Sequence, residues 1–490
     1  MSAALARRVA AELRPDPARV LARLFLPGEE EHRAQSRAGQ VIERVMALDE
    51  SDVQELATAL EADFAGRHRN YLTVLAQHAA IVAAHVGEAV VLSPARTLLL
   101  GASFTAEYAT EGAALCNPSA VQHPDQTGLG SGQARVAISL RGIGEGHVSS
   151  IGFCSAVVGP GAQWEFAPRP RPVSGAQTSP GRWLRTHLQE VLADQGCTDE
   201  LGGTVLHALP DEFGGLELEH ALARLPRKLL TRSGAPATVD LLRTVVASAY
   251  VAEFAEEVAL DQRVLMPSAD EESHGMEDAR FTVVVDAEGR AEYRATYTAY
   301  DGHRVAPRLL ISPDLRVFTA HRLAGPAARN KGMALFPRLV NGRHLALCRS
   351  DGESTSLASS ADGAVWERPV LVQRPQQSWE VLQIGNCGPP IETDRGWLVL
   401  THGVGAMRTY SIGAILLDID DPSRVVGQLR RPLLRPEQSE QDGYVPNVVY
   451  SCGAFLHDRL VWIPYGIDDA RIGVAYVHLD ELLAELTAEG

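Results

Sequence analysis

The chain has 490 residues, enough for a large core and more than one folding unit. Hydrophobic residues make up 45% and charged residues 22%, the balance of an ordinary globular protein. A formal charge of −16 argues against nonspecific nucleic-acid binding and against docking on anionic membranes, yet leaves room for a local basic pocket.

The N-terminal residues are charged and amphipathic, without the apolar core of a secretory leader. No apolar run reaches the roughly 18–20 residues that a bilayer span needs. Cys116, Cys154, Cys197, Cys348, Cys387 and Cys452 are scattered, with no CxxC pair and no Cys/His zinc spacing. The expectation is a cytoplasmic protein with reduced thiols and no metal site.

Residues 4–13, 18–25, 35–48, 53–64 and 71–85 carry apolar residues three to four apart with charges between, which predicts helices. Asp49-Glu50-Ser51-Asp52 reads as an N-cap cluster for the fourth. Residues 1–95 are therefore expected to form a helical N-terminal region. From about residue 98 the pattern changes to short apolar runs bounded by Gly, Asp and Asn. A turn residue, a basic or small residue, an apolar strand and often a Gly recur together. The clearest copies are Gly342-Arg343-His344-Leu345-Ala346-Leu347-Cys348-Arg349 and Arg395-Gly396-Trp397-Leu398-Val399-Leu400-Thr401-His402-Gly403. Further copies begin at Gly289 and Asp458, and a degenerate one runs from Ala134 to Gly142.

Short-strand repeats of roughly 50–60 residues point to a β-propeller, about four strands per blade. The plainer alternative is a β-sandwich with coincidental turns. The fold expected is mainly β: a five-bladed β-propeller over residues 96–490, interrupted by a helical insertion at about 158–265. Helices are predicted there at 183–194, 216–225 and 239–260. A last strand at 473–477 leads into a short helix at 479–486.

The segment with most chemistry is Gly275-Met276-Glu277-Asp278-Ala279-Arg280, ahead of the strand-like Phe281-Thr282-Val283-Val284-Val285. Strand alternation would put Asp278 and Arg280 on one face and Glu277 on the other. A propeller gathers loops at one mouth of its channel, so one polar residue per blade can converge there. The candidates are Asn117, Ser119 and Arg141; Asp278 and Arg280; Lys331 and Arg349; His402 and Tyr410; Asp442 and Asn447. Together they suit a polyol or sugar with an anion beside it. Singly, each has a plainer reading. Asp278 with Arg280 is more often a structural ion pair, Lys331 a solvated turn lysine, His402 a satisfied strand-end residue, and Asn447 a backbone-bonding turn residue. Gly144-Glu145-Gly146-His147 lacks the Lys-Ser/Thr of a phosphate loop, and no Gly-x-Ser-x-Gly elbow is present.

Several segments resemble glycoside hydrolase family 130, the β-mannoside phosphorylases and related β-mannosidases. They are Asn117-Pro118-Ser119-Ala120-Val121, Gly144-Glu145-Gly146-His147, Gly275 to Arg280, Asn330-Lys331, Gly388-Pro389-Pro390-Ile391-Glu392-Thr393, Gly396 to Val404, Gly413 to Asp418 and Asp442-Gly443-Tyr444-Val445-Pro446-Asn447. They span about 98–157 and 270–477, in family order. The resemblance implies a five-bladed propeller and inverting cleavage of a β-linked mannoside. In the phosphorylases, inorganic phosphate attacks C1 and gives α-mannose 1-phosphate.

By the same resemblance, Asp278 is the acid, protonating the leaving oxygen through the mannose 3-hydroxyl. Lys331, Arg349, His402 and Arg141 are implied phosphate holders. Asn117, Ser119, Arg280, Tyr410, Asp442 and Asn447 are implied substrate contacts, Asp442 as the sugar-hydroxyl aspartate. Phosphate is a co-substrate, and no cofactor or metal is implied. Gly332 and Ala279 depart from the family pattern, and the helical N-terminus and insertion are additions that can reshape the pocket mouth or mediate homo-oligomer contacts.

Three functions stay open at this point. One is β-mannoside phosphorolysis. The second is inverting β-mannoside hydrolysis, for which Glu392, Glu380 and Glu353 are the available bases. The third is a non-catalytic sugar-binding propeller. The cations Lys331 and Arg349 with His402 favour the first, because a phosphorylase needs an acid and an anion site rather than a second carboxylate.

Overall fold

The structure is a computed structural model that describes residues 5–26, 34–84, 92–285 and 289–488. It is mainly β. Most strands fall into five antiparallel meanders taken in chain order. The first holds Ala114–Gln122, Ala134–Ile143, Ser149–Gly159 and Gln163–Phe166. The second holds Gly275–Val285, Ala291–Tyr300, Val305–Ser312 and Val317–Arg322, widened by Tyr250–Glu253 and Gln177–Pro180. The third is Ala334–Leu335, His344–Cys348, Thr355–Ser360 and Val370–Gln373. The fourth is Gln383–Asn386, Gly396–Val404, Tyr410–Leu417 and Val425–Gln428. The fifth is Val449–Tyr450, Leu460–Ile467 and Arg471–His478.

Each meander touches the next, and the last touches the first. Gly275 bridges to Ser149, the Ile384 N–H donates to the Glu353 carbonyl at 2.9 Å, and the Tyr410 N–H donates to the Asn447 carbonyl at 3.0 Å. The Cys452 N–H donates to the Pro118 carbonyl at 2.8 Å. Apolar cores fill the spaces between neighbours. Phe153 meets Phe281 and Phe318, Leu309 meets Leu335, and Leu347 meets Trp397. Leu400 and Ile412 meet Ile463, and Trp462 meets Ile138. A middle strand is thus covered on both faces, which is why Leu460–Ile467 reads as a continuous apolar run rather than an alternation. Each fully buried aliphatic or aromatic side chain contributes about 1.5–3 kcal/mol.

The N-terminus departs from the helical expectation. Residues 4–13 contain the strand Arg7–Leu13, paired antiparallel with Arg471–His478 as the outer strand of the fifth meander. Leu5, Val9 and Leu13 are four apart, but Val9, Ala11 and Leu13 are also two apart. It is the second set that packs against Trp462 and Val474. The open edge of the last sheet decides between the two periods. Residues 18–25 likewise form the strand Val20–Leu24, paired with Thr105–Ala109.

Helices do form at Ala34–Ala47, Glu50–Phe64 and Tyr71–Ala84, with His85 outside the described residues. A further helix, Pro94–Ser103, starts with Pro94 and is capped by Ser93, whose Oγ accepts from the Arg96 N–H. The insertion carries Arg185–Asp194, Glu200–Ala208, Gly215–Ala223, Arg227–Leu230 and Ala235–Ala247 around its own core. The helix expected over 239–260 stops at Ala247, because Tyr250–Glu253 joins the edge of the second meander.

Candidate active site

The first strands and the ends of the second strands converge on a cavity of about 200 Å³. The first strands supply Asn117, Asp278, Arg280 and Tyr450, with Lys331 just ahead of Ala334–Leu335 and Gln383 opening the fourth meander. The second strands supply Arg141 and His402, with Arg349 and Asp469 one and two residues beyond their strand ends. Arg408 comes from the next turn of the fourth meander, and Tyr410 opens the strand that follows it.

Two of these positions depend on backbone bulges. In Gly275–Val285, Glu277 faces Thr298 while Arg280 faces Thr296, so two residues stand opposite one. Asp278 takes φ 56° there. In Ala114–Gln122 the same shift lies between Cys116 and Ser119, and Asn117 takes φ 50°. Asn and Asp enter this left-handed region at lower cost than other L-residues. The bulge corrects the simple alternation: Glu277 does not lie on the opposite face. The Arg141 Nη2 donates to Glu277 Oε1 at 2.7 Å, and the Lys331 ammonium pairs with the other oxygen. Glu277 thereby ties two cavity cations together.

Asp278 accepts from Asn117 Nδ2 at 2.5 Å and lies 3.5 Å from Arg141 Nη1. Burial raises its pKa, but Arg141, Arg280, Lys331 and the Asn117 amide outweigh that, so the net shift is downward. Asp469 moves the other way, up to about 6. Burial is the main cause and the Asp278 charge adds to it, against Arg141 and Arg408. Arg280 is almost wholly buried, donating to the Asn386 carbonyl at 2.9 Å and to the Tyr450 hydroxyl at 2.6 Å. It forms the charged floor.

The Arg349 Nη1 lies 3.2 Å from His402 Nε2, and the His402 Nδ1 lies 3.3 Å from the Asn386 carbonyl. Burial, then the charges of Arg349 and Arg280, holds His402 well below its ordinary pKa. A neutral ring satisfies both contacts: Nδ1–H donates to the carbonyl and Nε2 accepts from Arg349. His402 therefore aims Arg349 instead of adding a positive charge. The Arg349 Nε and the Asn117 Oδ1 are buried without a partner among the described residues. Both leave hydrogen-bonding capacity for an occupant.

Of the residues singled out in the sequence, Asp278, Lys331, Arg349, His402, Arg141, Asn117, Arg280 and Tyr410 line this cavity. Ser119, Asp442 and Asn447 do not. Ser119 is fully buried, and its Oγ accepts from the Phe281 N–H at 3.0 Å, pinning the first two meanders. Asp442 is exposed in the turn before Val449–Tyr450. Asn447 at φ 65° accepts from the Tyr410 N–H, so it positions Tyr410 through its backbone. Sequence reasoning missed Asp469, Arg408, Tyr450 and Gln383. A signal for Asp469 existed: Arg141, Arg349 and His402 all sit at the end of a second strand, and so does Asp469. Gly405-Ala406-Met407-Arg408 likewise matches Gly144-Glu145-Gly146-His147, with positive φ at the third and fourth residues of both.

The proposed bases lie elsewhere. Glu392 pairs with Arg338 at 2.6 Å, Glu380 accepts from the Gln376 and Gln377 N–H groups at 2.7 and 2.9 Å, and Glu353 is exposed.

A family profile described as beta-1,4-mannooligosaccharide phosphorylase matches residues 252–488. A 1,2-beta-oligomannan phosphorylase of Thermoanaerobacter sp. (strain X514) is 33% identical over 231 residues, 46% of this chain and 75% of the relative. A beta-1,2-mannobiose phosphorylase of the same organism is 33% identical over 228 residues, 45% of this chain and 73% of the relative. The solved beta-1,2-mannobiose phosphorylase of Listeria innocua aligns with a TM-score of 0.44 at 20% identity, covering 77% of this chain and 92% of that one. On the strength of the Thermoanaerobacter relatives, three-quarters of whose length it spans, the chain belongs to glycoside hydrolase family 130.

Proposed function

We propose that the protein is a phosphorylase of β-linked mannooligosaccharides that releases α-mannose 1-phosphate with inversion. One observation carries the reading: Arg141, Arg280, Lys331, Arg349 and Arg408 line the cavity against only Asp278 and Asp469. Counting Glu277 as well, the cavity keeps an excess of positive charge. Such a pocket suits a dianionic phosphate held against a neutral sugar. Hydrolysis is less well supported, because Glu353, Glu380 and Glu392 are not in the cavity.

In this reading the five meanders are the blades of a five-bladed propeller and the cavity is the mouth of its channel. Phosphate sits between Arg349 and Lys331, with His402 holding Arg349 in place. Asp278 is the general acid. Lys331, one of the cations that depress its pKa, also holds phosphate, so phosphate entry brings Asp278 toward its protonated form. The acid is then armed only when the nucleophile is present. Phosphate attacks C1, the C1–oxygen bond breaks, and the proton passes from Asp278 to the departing oxygen through the sugar 3-hydroxyl. Asn117 holds the Asp278 carboxyl through its amide.

The relatives are named for β-1,2 linkages and the family profile for β-1,4, so the test carries both. Each mannobiose is incubated with and without phosphate. Mannose 1-phosphate formed only with phosphate supports the reading. Free mannose formed equally without phosphate refutes it.

A further inference from the structure

A second depression, of about 750 Å³, lies outside the cavity and is lined by Trp379, Thr409, Ser411, Arg430, Arg431 and Arg435. It backs onto the cavity across one strand. Tyr410 lines the cavity, and its neighbours Thr409 and Ser411 line the depression, as strand alternation requires. The six-membered ring of the Trp379 indole rests on a floor without side chains. A Cβ placed at Gly403 or Gly413 would come within 2.5 or 2.6 Å of its ring carbons. The indole N–H donates to the Arg430 carbonyl at 3.3 Å.

The arginines are held out by a fixed backbone. Leu429, Leu433 and Leu434 are buried in the core, and the Leu433 and Leu434 N–H groups bond the Ile412 carbonyl at 2.7 and 3.0 Å. Pro432 and Pro436 restrict the turns around Arg435. Among the described residues, neither Arg431 nor Arg435 has a carboxylate within ion-pair distance. Glu437 at the rim is taken by Arg8 Nη1 at 2.8 Å. In a chain of net charge −16, Arg431 and Arg435 set two positive charges in a concave patch beside the Trp379 side chain.

We propose that this depression binds a phosphorylated saccharide, with the sugar ring on Trp379 and the phosphoryl group on Arg431 and Arg435. It is a phosphate-recognising site separate from the catalytic cavity. Its volume suits a mono- or disaccharide phosphate, and guanidinium pairs favour phosphoryl oxygens. A ligand touching Thr409 and Ser411 bears directly on Tyr410, so occupancy is felt in the cavity. The choice of α-mannose 1-phosphate as probe, and the equivalent assigned to the cavity, rest on the proposed phosphorolysis.

The test is calorimetric titration, without turnover, of α-mannose 1-phosphate, inorganic phosphate and mannose. Wild-type protein is expected to bind two equivalents of mannose 1-phosphate. Lys331→Ala/Arg349→Ala is expected to keep one, and adding Arg431→Ala/Arg435→Ala should weaken that one at least fivefold. Lys331→Met serves if the first double variant does not fold, which thermal unfolding reports. A change below fivefold overturns the proposal, as does the absence of any binding to a folded cavity variant. Inorganic phosphate or mannose binding as tightly as the sugar phosphate overturns the assignment to a phosphorylated saccharide. Failure of phosphorolysis with the second equivalent retained sinks only the catalytic reading.

Discussion

Replacing Asp278 by Asn separates chemistry from charge, and the two readouts should move in opposite directions. Asn keeps the size of the side chain and its contact with Asn117, but it cannot donate a proton as an acid does. General acid catalysis is worth about 10²–10⁴-fold, so kcat on a natural mannobiose should fall by that factor, roughly 3–5 kcal/mol of barrier. An aryl mannoside whose leaving group needs no proton should lose far less. The same change removes a negative charge from a pocket that must hold phosphate. Two unit charges about 6 Å apart at an effective dielectric near 20 interact by about 3 kcal/mol before screening. Phosphate should therefore bind about tenfold tighter or better to Asp278→Asn in calorimetric titration. Equal losses on both glycosides would remove Asp278 from the acid role. Unchanged or weaker phosphate binding would show that it does not share the cation cluster with phosphate.

Asp469, whose pKa is pushed up to about 6, should make anion binding depend on pH. Sulfate, which stays dianionic, should bind more tightly as pH falls through 6, and Asp469→Asn should flatten that dependence. The native state holds this proton between about pH 3.8 and 6 and the unfolded chain does not, so the group's contribution to stability declines as pH rises across that window. Asp469→Asn should accordingly raise the unfolding midpoint at pH 7. Glu353→Gln and Glu392→Gln should keep kcat/KM within about twofold, because neither side chain reaches the cavity; a loss of a hundredfold in either would revive the hydrolase reading. His321, half-buried beside the insertion, has its pKa lowered to about 4, chiefly by burial and then by His187 and Arg308. The unfolded chain binds a proton below its ordinary value of 6.5 while the native state resists it, so stability should fall between pH 6.5 and 4. The drop reaches about 2–3 kcal/mol at pH 4.5, and in urea titrations His321→Gln should remove most of this slope.

Patterns local in the chain are legible from the residues alone. The spaced repeat Gly342 to Arg349, Arg395 to Gly403 and Asp458 to Gly466 marks strands that come out in successive meanders, because strands buried on both faces must be continuously apolar. The Glu277-Asp278-Ala279-Arg280 segment announces its chemistry through residue type, and eight of the eleven residues it leads to share one cavity. What stays hidden depends on partners far away in sequence. Residues 4–13 are compatible with helix or strand, and only the open edge of Arg471–His478 selects the strand. Alternation assigns Glu277 to the wrong face because a bulge, held by pairing with Thr296 and Thr298, adds one residue to the count. His402 looks like a cation, and becomes a neutral brace only when burial and two arginines surround it. Ser119 looks like a sugar contact until the neighbouring meander buries it. Residue types and their period are written in the chain; charge state, facing and exposure are set by whatever the fold packs against them.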